Sequence, residues 1–273
     1  MAVEVEIWTD INCPFCYLGK RRFEEALAAF PHREQVRVVH KSFELDPTLP
    51  KDLSAPVTPH IAEKYGISEA QAAANERGLG AQAEAMGLTY QTSGRDFGNS
   101  FDIHRLLHFA LEQGKQEAML DALYAANLAE EQALFGNAER LVRVAVNAGF
   151  DEVAVRAVLD DPNAYADAVR GDEADAARLG ARGVPFFVLD GPDVGDLDAV
   201  LFHDAGAEVD QALGVAAGGG SFQGAVDEQG AEVGEICHGF TVSAFDAGRG
   251  VDRRILAATS SQITARAMTR PDR

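Results

Sequence analysis

Cysteine is scarce in this 273-residue chain. Only Cys13, Cys16 and Cys237 occur, too few for the framework of a disulfide-stapled secreted domain. Positive charge is also short, with 24 Lys and Arg against 43 Asp and Glu and a formal net charge of -19. That balance makes nucleic acid and anionic membrane poor partners. No apolar run approaches the ~18 residues of a membrane span. Met1-Ala2-Val3-Glu4-Val5-Glu6 lacks the basic n-region and apolar core of a secretory signal. Together these absences lead to the expectation of an acidic cytoplasmic protein with no membrane or nucleic-acid partner. Disorder is excluded by an apolar content of 47%. The length suits one large domain or two smaller ones.

Two of the three cysteines stand together in Trp8-Thr9-Asp10-Ile11-Asn12-Cys13-Pro14-Phe15-Cys16-Tyr17-Leu18-Gly19-Lys20. Before them, Val3, Val5 and Ile7 alternate with Glu4 and Glu6, the period of a half-buried strand. After them, Phe15, Leu18, Phe23, Ala26, Leu27 and Phe30 recur at helical spacing. The pair therefore sits where a strand hands over to a helix, with Cys13 at the N-cap and Pro14 at the first helical position. Unpaired N–H groups and the positive end of the helix dipole meet Cys13 there. Its thiol is expected below the ~8.5 of a free cysteine. Cys16 lies one turn on, close enough to close a disulfide ring. Cys13, expected to face solvent, would attack a substrate disulfide, and the shielded Cys16 would resolve the mixed disulfide. A zinc site would need a second ligand pair; Cys237-His238 is the other candidate, and the strand–CPFC–helix setting favours redox work. No metal is expected.

Downstream, residues 35–45 read as a second strand, and a Pro-containing loop runs to about Pro59. Thr58-Pro59 predicts a helix start, and Ser68-Glu69-Ala70-Gln71 a capping box. Stripes through Ile103–Leu111, Met119–Asn127, Leu141–Val146 and Val155–Leu159 follow, with Asn137 and Asp151 as caps and Gly114 and Gly149 as stops. Asp161-Pro162 predicts a longer helix running through Tyr165 to Leu179. Residues 183–191 return to a short apolar strand entered by Pro185. That proline reads either as an ordinary loop residue or as a cis proline against the disulfide, leaving the backbone before it to pair with a peptide. Ala199–Phe202 is a candidate strand and Ala207–Ala217 a candidate helix. Gly218-Gly219-Gly220-Ser221 is a flexible joint.

The expected fold class is α/β, a thioredoxin-like fold with an inserted α-helical domain. Its expected boundaries are 1–56 with 181–217 for the thioredoxin-like part, 57–180 for the helical insertion and 218–273 for a poorly ordered tail. Of the remaining candidates, Asp10 reads as a proton carrier for Cys16 or, preferably, as a loop aspartate capping a backbone N–H. His104 reads as a residue lining a cleft or as a hydrogen-bonded structural histidine. Trp8 reads as packing, Lys20 as a solvated lysine and Cys237 as a free tail thiol. Phe15 takes the place where a histidine would donate to the thiolate, so a milder oxidant than periplasmic oxidases is expected.

The chain resembles the FrnE-type branch of the DsbA-like thiol oxidoreductases. The resemblance lies in residues 13–19, in Asn99-Ser100-Phe101-Asp102-Ile103-His104-Arg105-Leu106-Leu107, in Val169-Arg170-Gly171-Asp172-Glu173-Ala174 and in Gly183-Val184-Pro185-Phe186-Phe187-Val188. It implies Cys13 as nucleophile, Cys16 as partner and Pro185 as a cis proline facing them. Pro14, Phe15, Val184 and His104 become candidate substrate-binding residues. The expected activity is disulfide exchange with thiol- or disulfide-bearing protein substrates, by a monomer or homodimer. No cofactor is expected to be tightly bound; glutathione or another low-molecular-weight thiol would donate electrons. The same fold houses kappa-class glutathione transferases and 2-hydroxychromene-2-carboxylate isomerases, which carry serine at the first cysteine. A glutathione-dependent transferase or isomerase, a natural-product tailoring enzyme and a non-enzymatic binding module are the alternatives.

Overall fold

In the computed structural model, which describes residues 3–92, 95–190, 236–237, 240–245 and 253–258, the first strand follows from its alternation. Strand β1 (Val3–Thr9) buries Val3, Val5 and Ile7 and leaves Glu4 and Glu6 partly exposed. Helix α1 (Pro14–Ala29) follows, then β2 (Val36–Ser42) after a single 3-10 turn. The chain forms two compact units, Met1–Ile7 with Arg22–Val38 and Pro185–Arg273, and Trp8–Arg21 with Val39–Val184. The α/β thioredoxin-like class expected from the sequence is the class observed, with a run of helices between β2 and the strand β5 (Phe186–Asp190).

The first unit is built on the sheet. Phe23, Ala26 and Leu27 of α1, with Phe30 just past its end, spaced i, i+3, i+4, i+7, pack with Val3, Val5, Ile7, Phe187 and Leu189. The Phe23 and Phe187 rings lie 5.9 Å apart. Three further strands come from the tail: β6 (Ile236–Cys237), β7 (Phe240–Phe245) and β8 (Arg253–Ala258). The six-stranded order is β2-β1-β5-β8-β7-β6. β8 runs antiparallel to β5, with Phe186 opposite Ala257 and Asp190 opposite Arg253. Weak periodicity gave no warning of these strands. The candidate strand at Ala199–Phe202, the candidate helix at Ala207–Ala217 and the glycine joint lie outside the described residues.

The second unit is mostly helical. A two-stranded ladder, β3 (Ser54–Pro56) with β4 (Asp96–Gly98), brackets α2 (Val57–Tyr65) and α3 (Glu69–Ala85). Helix α2 starts earlier than Thr58-Pro59 suggests; Pro59 is its third residue, still in the turn whose N–H groups have no intrahelical partner. The N-cap half of the expected capping box forms: Ser68 Oγ accepts from Gln71 N at 3.2 Å. Helices α4 (Phe101–Glu112) and α5 (Gln116–Tyr124) come next, and α5 runs into a π-helical turn, Ala125–Ala129. Asn137 and Asp151 cap α6 (Ala138–Asn147) and α7 (Glu152–Asp160) through bonds from Arg140 N and Ala154 N. Helix α8 (Ala166–Arg178) begins five residues after the expected start at Asp161. Tyr165 has φ 59°, a left-handed conformation that keeps the helix from extending back to Asp161.

Buried charge stitches these helices together. Arg105 of α4 donates through Nη1 to the carbonyls of Val158 at 2.6 Å, Asp161 at 2.7 Å and Ala164 at 3.1 Å. Glu44, whose side chain is 1% exposed, meets Arg170 of α8 at 2.5 Å, and Arg170 also holds Glu173 at 2.6 Å. Burial pushes the Glu44 carboxyl up to about 7; Arg170 opposes and the Glu173 charge adds to it. In the unfolded chain the carboxyl titrates near ~4.3. The protonated form is thus favoured by folding. Its contribution is full below the unfolded value and is lost as pH rises through about 7. Urea unfolding should show stability falling between pH 5 and pH 8, and Glu44→Gln should flatten that dependence; an equally steep variant would contradict the assignment.

Candidate active site at the head of the first helix

Four residues, Asp10 to Cys13, join β1 to α1, and the second unit pins each part of this turn. Cys13 N donates to Asp10 O at 3.0 Å, closing it. Asp10 Oδ1 accepts from Asn12 N at 3.1 Å, and Oδ2 from Leu45 N at 2.8 Å. Ile11 O accepts from Asn127 Nδ2 at 2.8 Å. The Asn12 amide pairs with the Gly98 backbone, donating at 2.8 Å and accepting at 3.3 Å. Arg95 Nη1 donates to Asn12 O at 3.3 Å and is itself clamped by Glu76, with contacts of 3.0 and 2.8 Å.

On this mount sit two free thiols. Cys13 immediately precedes α1, and Cys16 is one turn inside it. Cys13 Sγ lies 3.4 Å from Val184 O and donates to it. Burial pushes the Cys16 thiol well up, and its hydrogen bond and charge interaction with Cys13 push the same way. The Asp10 backbone and the Thr9 hydroxyl oppose. Thr9 is in turn bonded to the Tyr124 hydroxyl. Two free sulfurs one helical turn apart form the geometry of a reversible dithiol.

Residues 4–214 match the DSBA-like thioredoxin domain. The chain belongs to that family. It is 51% identical to a probable DsbA oxidoreductase of Streptomyces coelicolor, over 84% of this chain and 97% of that one, with a TM-score of 0.69. A putative protein disulfide isomerase of Nitrosomonas europaea shares the fold at 13% identity, over 77% of this chain and 99% of that one, with a TM-score of 0.52. The uncharacterized protein YwbO of Bacillus subtilis is 26% identical over 69% of this chain and 88% of its own.

Within this DSBA-like chain several expectations need correction. Cys13 does not face solvent: it is 4% exposed and Cys16 2%, so exposure does not separate the two sulfurs. What separates them among the described contacts is the Val184 carbonyl that holds Cys13. Phe15 is 44% exposed and Pro14 half-buried, leaving both on the open side of the helix head. Val184 and Pro185 are both buried, and Pro185 opens the last segment of the first unit. His104 cannot line a substrate cleft, because it is fully buried, and neither ring nitrogen has a hydrogen-bond partner. Its Nε2 stands 3.8 Å from Asp10 Oδ1, and burial pulls the imidazole down, towards the neutral form. Asp10 is the backbone-capping aspartate preferred from the sequence. Trp8 packs, its Nε1 donating to Asp172 O at 2.8 Å. Lys20 is not solvated: it is buried between Glu117 at 3.0 Å and Asp121 at 2.7 Å. The side chain of Cys237 and all of His238 lie outside the described residues.

The sequence reading missed Asn127, Arg95 and Thr9 as site residues. A polar Asn127 closing an otherwise apolar stripe was the available signal. Its Nδ2 is the donor to Ile11 O among the described contacts, while Oδ1 is buried without a partner. Asn127→Ala should therefore destabilise the fold by about 1–3 kcal/mol, the cost of orphaning one buried carbonyl. Denaturant titration measures it, and an unchanged midpoint would remove Asn127 from the mount.

Proposed function

We propose that the chain is a protein thiol–disulfide oxidoreductase, with Cys13 as nucleophile and Cys16 as resolving thiol. The observation that carries the reading is the dithiol itself: two free, hydrogen-bonded sulfurs at a helix head whose approach turn is fixed on every side. Membership of the DSBA-like family and the 51% identity to a probable DsbA oxidoreductase support it.

In the reducing direction, the Cys13 thiolate attacks a substrate disulfide. A bond forms between Cys13 and one substrate sulfur, and the other leaves as a thiolate that takes up a proton. The Cys16 thiolate then attacks Cys13, the Cys13–Cys16 bond forms, and the second substrate thiol departs. Two electrons have passed from the dithiol to the substrate. Two molecules of glutathione or a similar small thiol restore the dithiol, themselves becoming a disulfide. The reverse sequence oxidises a substrate dithiol. The first turn of α1 supports the first step by offering unpaired N–H groups to the sulfur anion. Exposed Phe15 supplies an apolar contact for an unfolded peptide, and Val184 with Pro185, in the cis form, presents backbone to it. The reading assigns the activity to the cytoplasm, where small thiols keep such a pair cycling.

Insulin reduction with dithiothreitol as donor tests the reading. The protein should speed precipitation of the insulin B chain well above dithiothreitol alone. Cys13→Ser should abolish that gain, and Cys16→Ala should accumulate mixed disulfides resolvable on non-reducing gels. A wild-type rate no faster than the donor's own would end the proposal.

A further inference from the structure

Two buried groups beside the redox turn take no part in the exchange itself. Asp10 and His104 are both fully buried, and His104 Nε2 stands 3.8 Å from Asp10 Oδ1. That is longer than a hydrogen bond, but close for a charge and a dipole from which water is excluded. Neither imidazole nitrogen has a hydrogen-bond partner. A polar ring so deeply buried is costly unless a group opposite it offsets the loss of water.

Helix α4 delivers the imidazole. His104 and His108 stand one turn apart on it, and each meets an aspartate from another segment. His108 Nε2 lies 3.0 Å from Asp172 Oδ2 and 3.1 Å from Ser42 Oγ. Asp172 Oδ2 also accepts from Ser42 N at 2.9 Å, and its carbonyl accepts from Trp8 Nε1 at 2.8 Å. The helix is thereby registered against the strand end that leads into Asp10. All these residues belong to the same unit.

Asp10 is the hub of the turn. Its carbonyl accepts from Cys13 N at 3.0 Å, Oδ1 from Asn12 N at 3.1 Å and Oδ2 from Leu45 N at 2.8 Å. A carboxylate offers about four acceptor sites, so these bonds leave capacity for a further donor.

We propose that His104 is a positioning residue for Cys13, acting through Asp10: its Nε2–H steadies the carboxylate that closes the turn. The inference rests on the dithiol reading given under Proposed function. With the proton on Nε2, the positive end of the N–H dipole meets Oδ1. With the proton on Nδ1, a lone pair would meet that oxygen and repel it. Burial pulls the imidazole down towards the neutral form; Asp10, Glu173 and Asp172 oppose, and His108 adds to the burial. These four are the titratable groups facing the ring. A neutral ring carries one N–H, so the nitrogen that holds it decides whether Asp10 is steadied or pushed away.

Reaction of the reduced protein with 5,5′-dithiobis(2-nitrobenzoate) reads Cys13 in the first equivalent of coloured thiolate and Cys16 in the second. His104→Leu removes the N–H and should slow the first phase roughly tenfold, the scale of one lost polar contact. The amide nitrogen of glutamine stands as many bonds from the backbone as Nε2, and that of asparagine as many as Nδ1. His104→Gln should therefore restore the wild-type rate, and His104→Asn should not. Added to Asp10→Asn, His104→Leu should cause no further loss. In the full-length wild-type protein, nitrogen–proton correlation spectra of the histidines should place the His104 proton on Nε2, a readout that does not depend on whether the variants fold. A proton on Nδ1, an unchanged first phase in His104→Leu, equal rates in His104→Gln and His104→Asn, or a further loss in the double variant would overturn the inference while leaving the dithiol reading intact. Release of a single equivalent by the wild-type protein would end that reading and the inference with it.

Discussion

The turn from Asp10 to Cys13 is the constraint on which the site depends. A strand handing over to a helix would ordinarily leave four residues free to sample several conformations, at an entropic cost of roughly 1–2 kcal/mol each when one is selected. Here the selection is made by partners far away in sequence. Leu45, Asn127, Gly98 and Arg95 each hold one group of the turn. The positions of both sulfurs are therefore consequences of the helical segment that follows β2. The helical segment after β2 is, in this chain, the part that fixes where Cys13 stands.

Much of this was legible because its signals are local. A period of two in Val3–Ile7, a period of 3.6 in Phe23–Phe30, and caps at Ser68, Asn137 and Asp151 each act within a few residues, and each produced the expected element. The placement of the cysteine pair at the helix head was legible for the same reason, since strand and helix periods meet there. What escaped is what depends on distant partners. The three-residue strands β3 and β4 have no periodicity of their own and exist as a ladder with one another. Lys20 looked solvated because its acids, Glu117 and Asp121, are about a hundred positions away. His104 looked like a lining residue because helical spacing gives a face without saying what covers it.

Burial changes how the two cysteines are told apart. If one sulfur were exposed and the other covered, access alone would order their reactions. With both nearly inaccessible, the order must come from bonds. Cys13 is bonded to a carbonyl, an acceptor that holds a thiol and does nothing for an anion.

The surrounding charge fits the same picture. The chain carries a net charge of -19, yet the cations near the sulfurs are spent internally: Arg95 on Glu76 and Asn12, Lys20 on Glu117 and Asp121. An unpaired guanidinium beside Cys13 would hold the thiolate and make the mixed disulfide a poorer trap, while also drawing acidic peptides. Paired, it acts through geometry, fixing the Asn12 carbonyl one residue before the sulfur. Phe15 remains an exposed apolar side chain on the open side of α1.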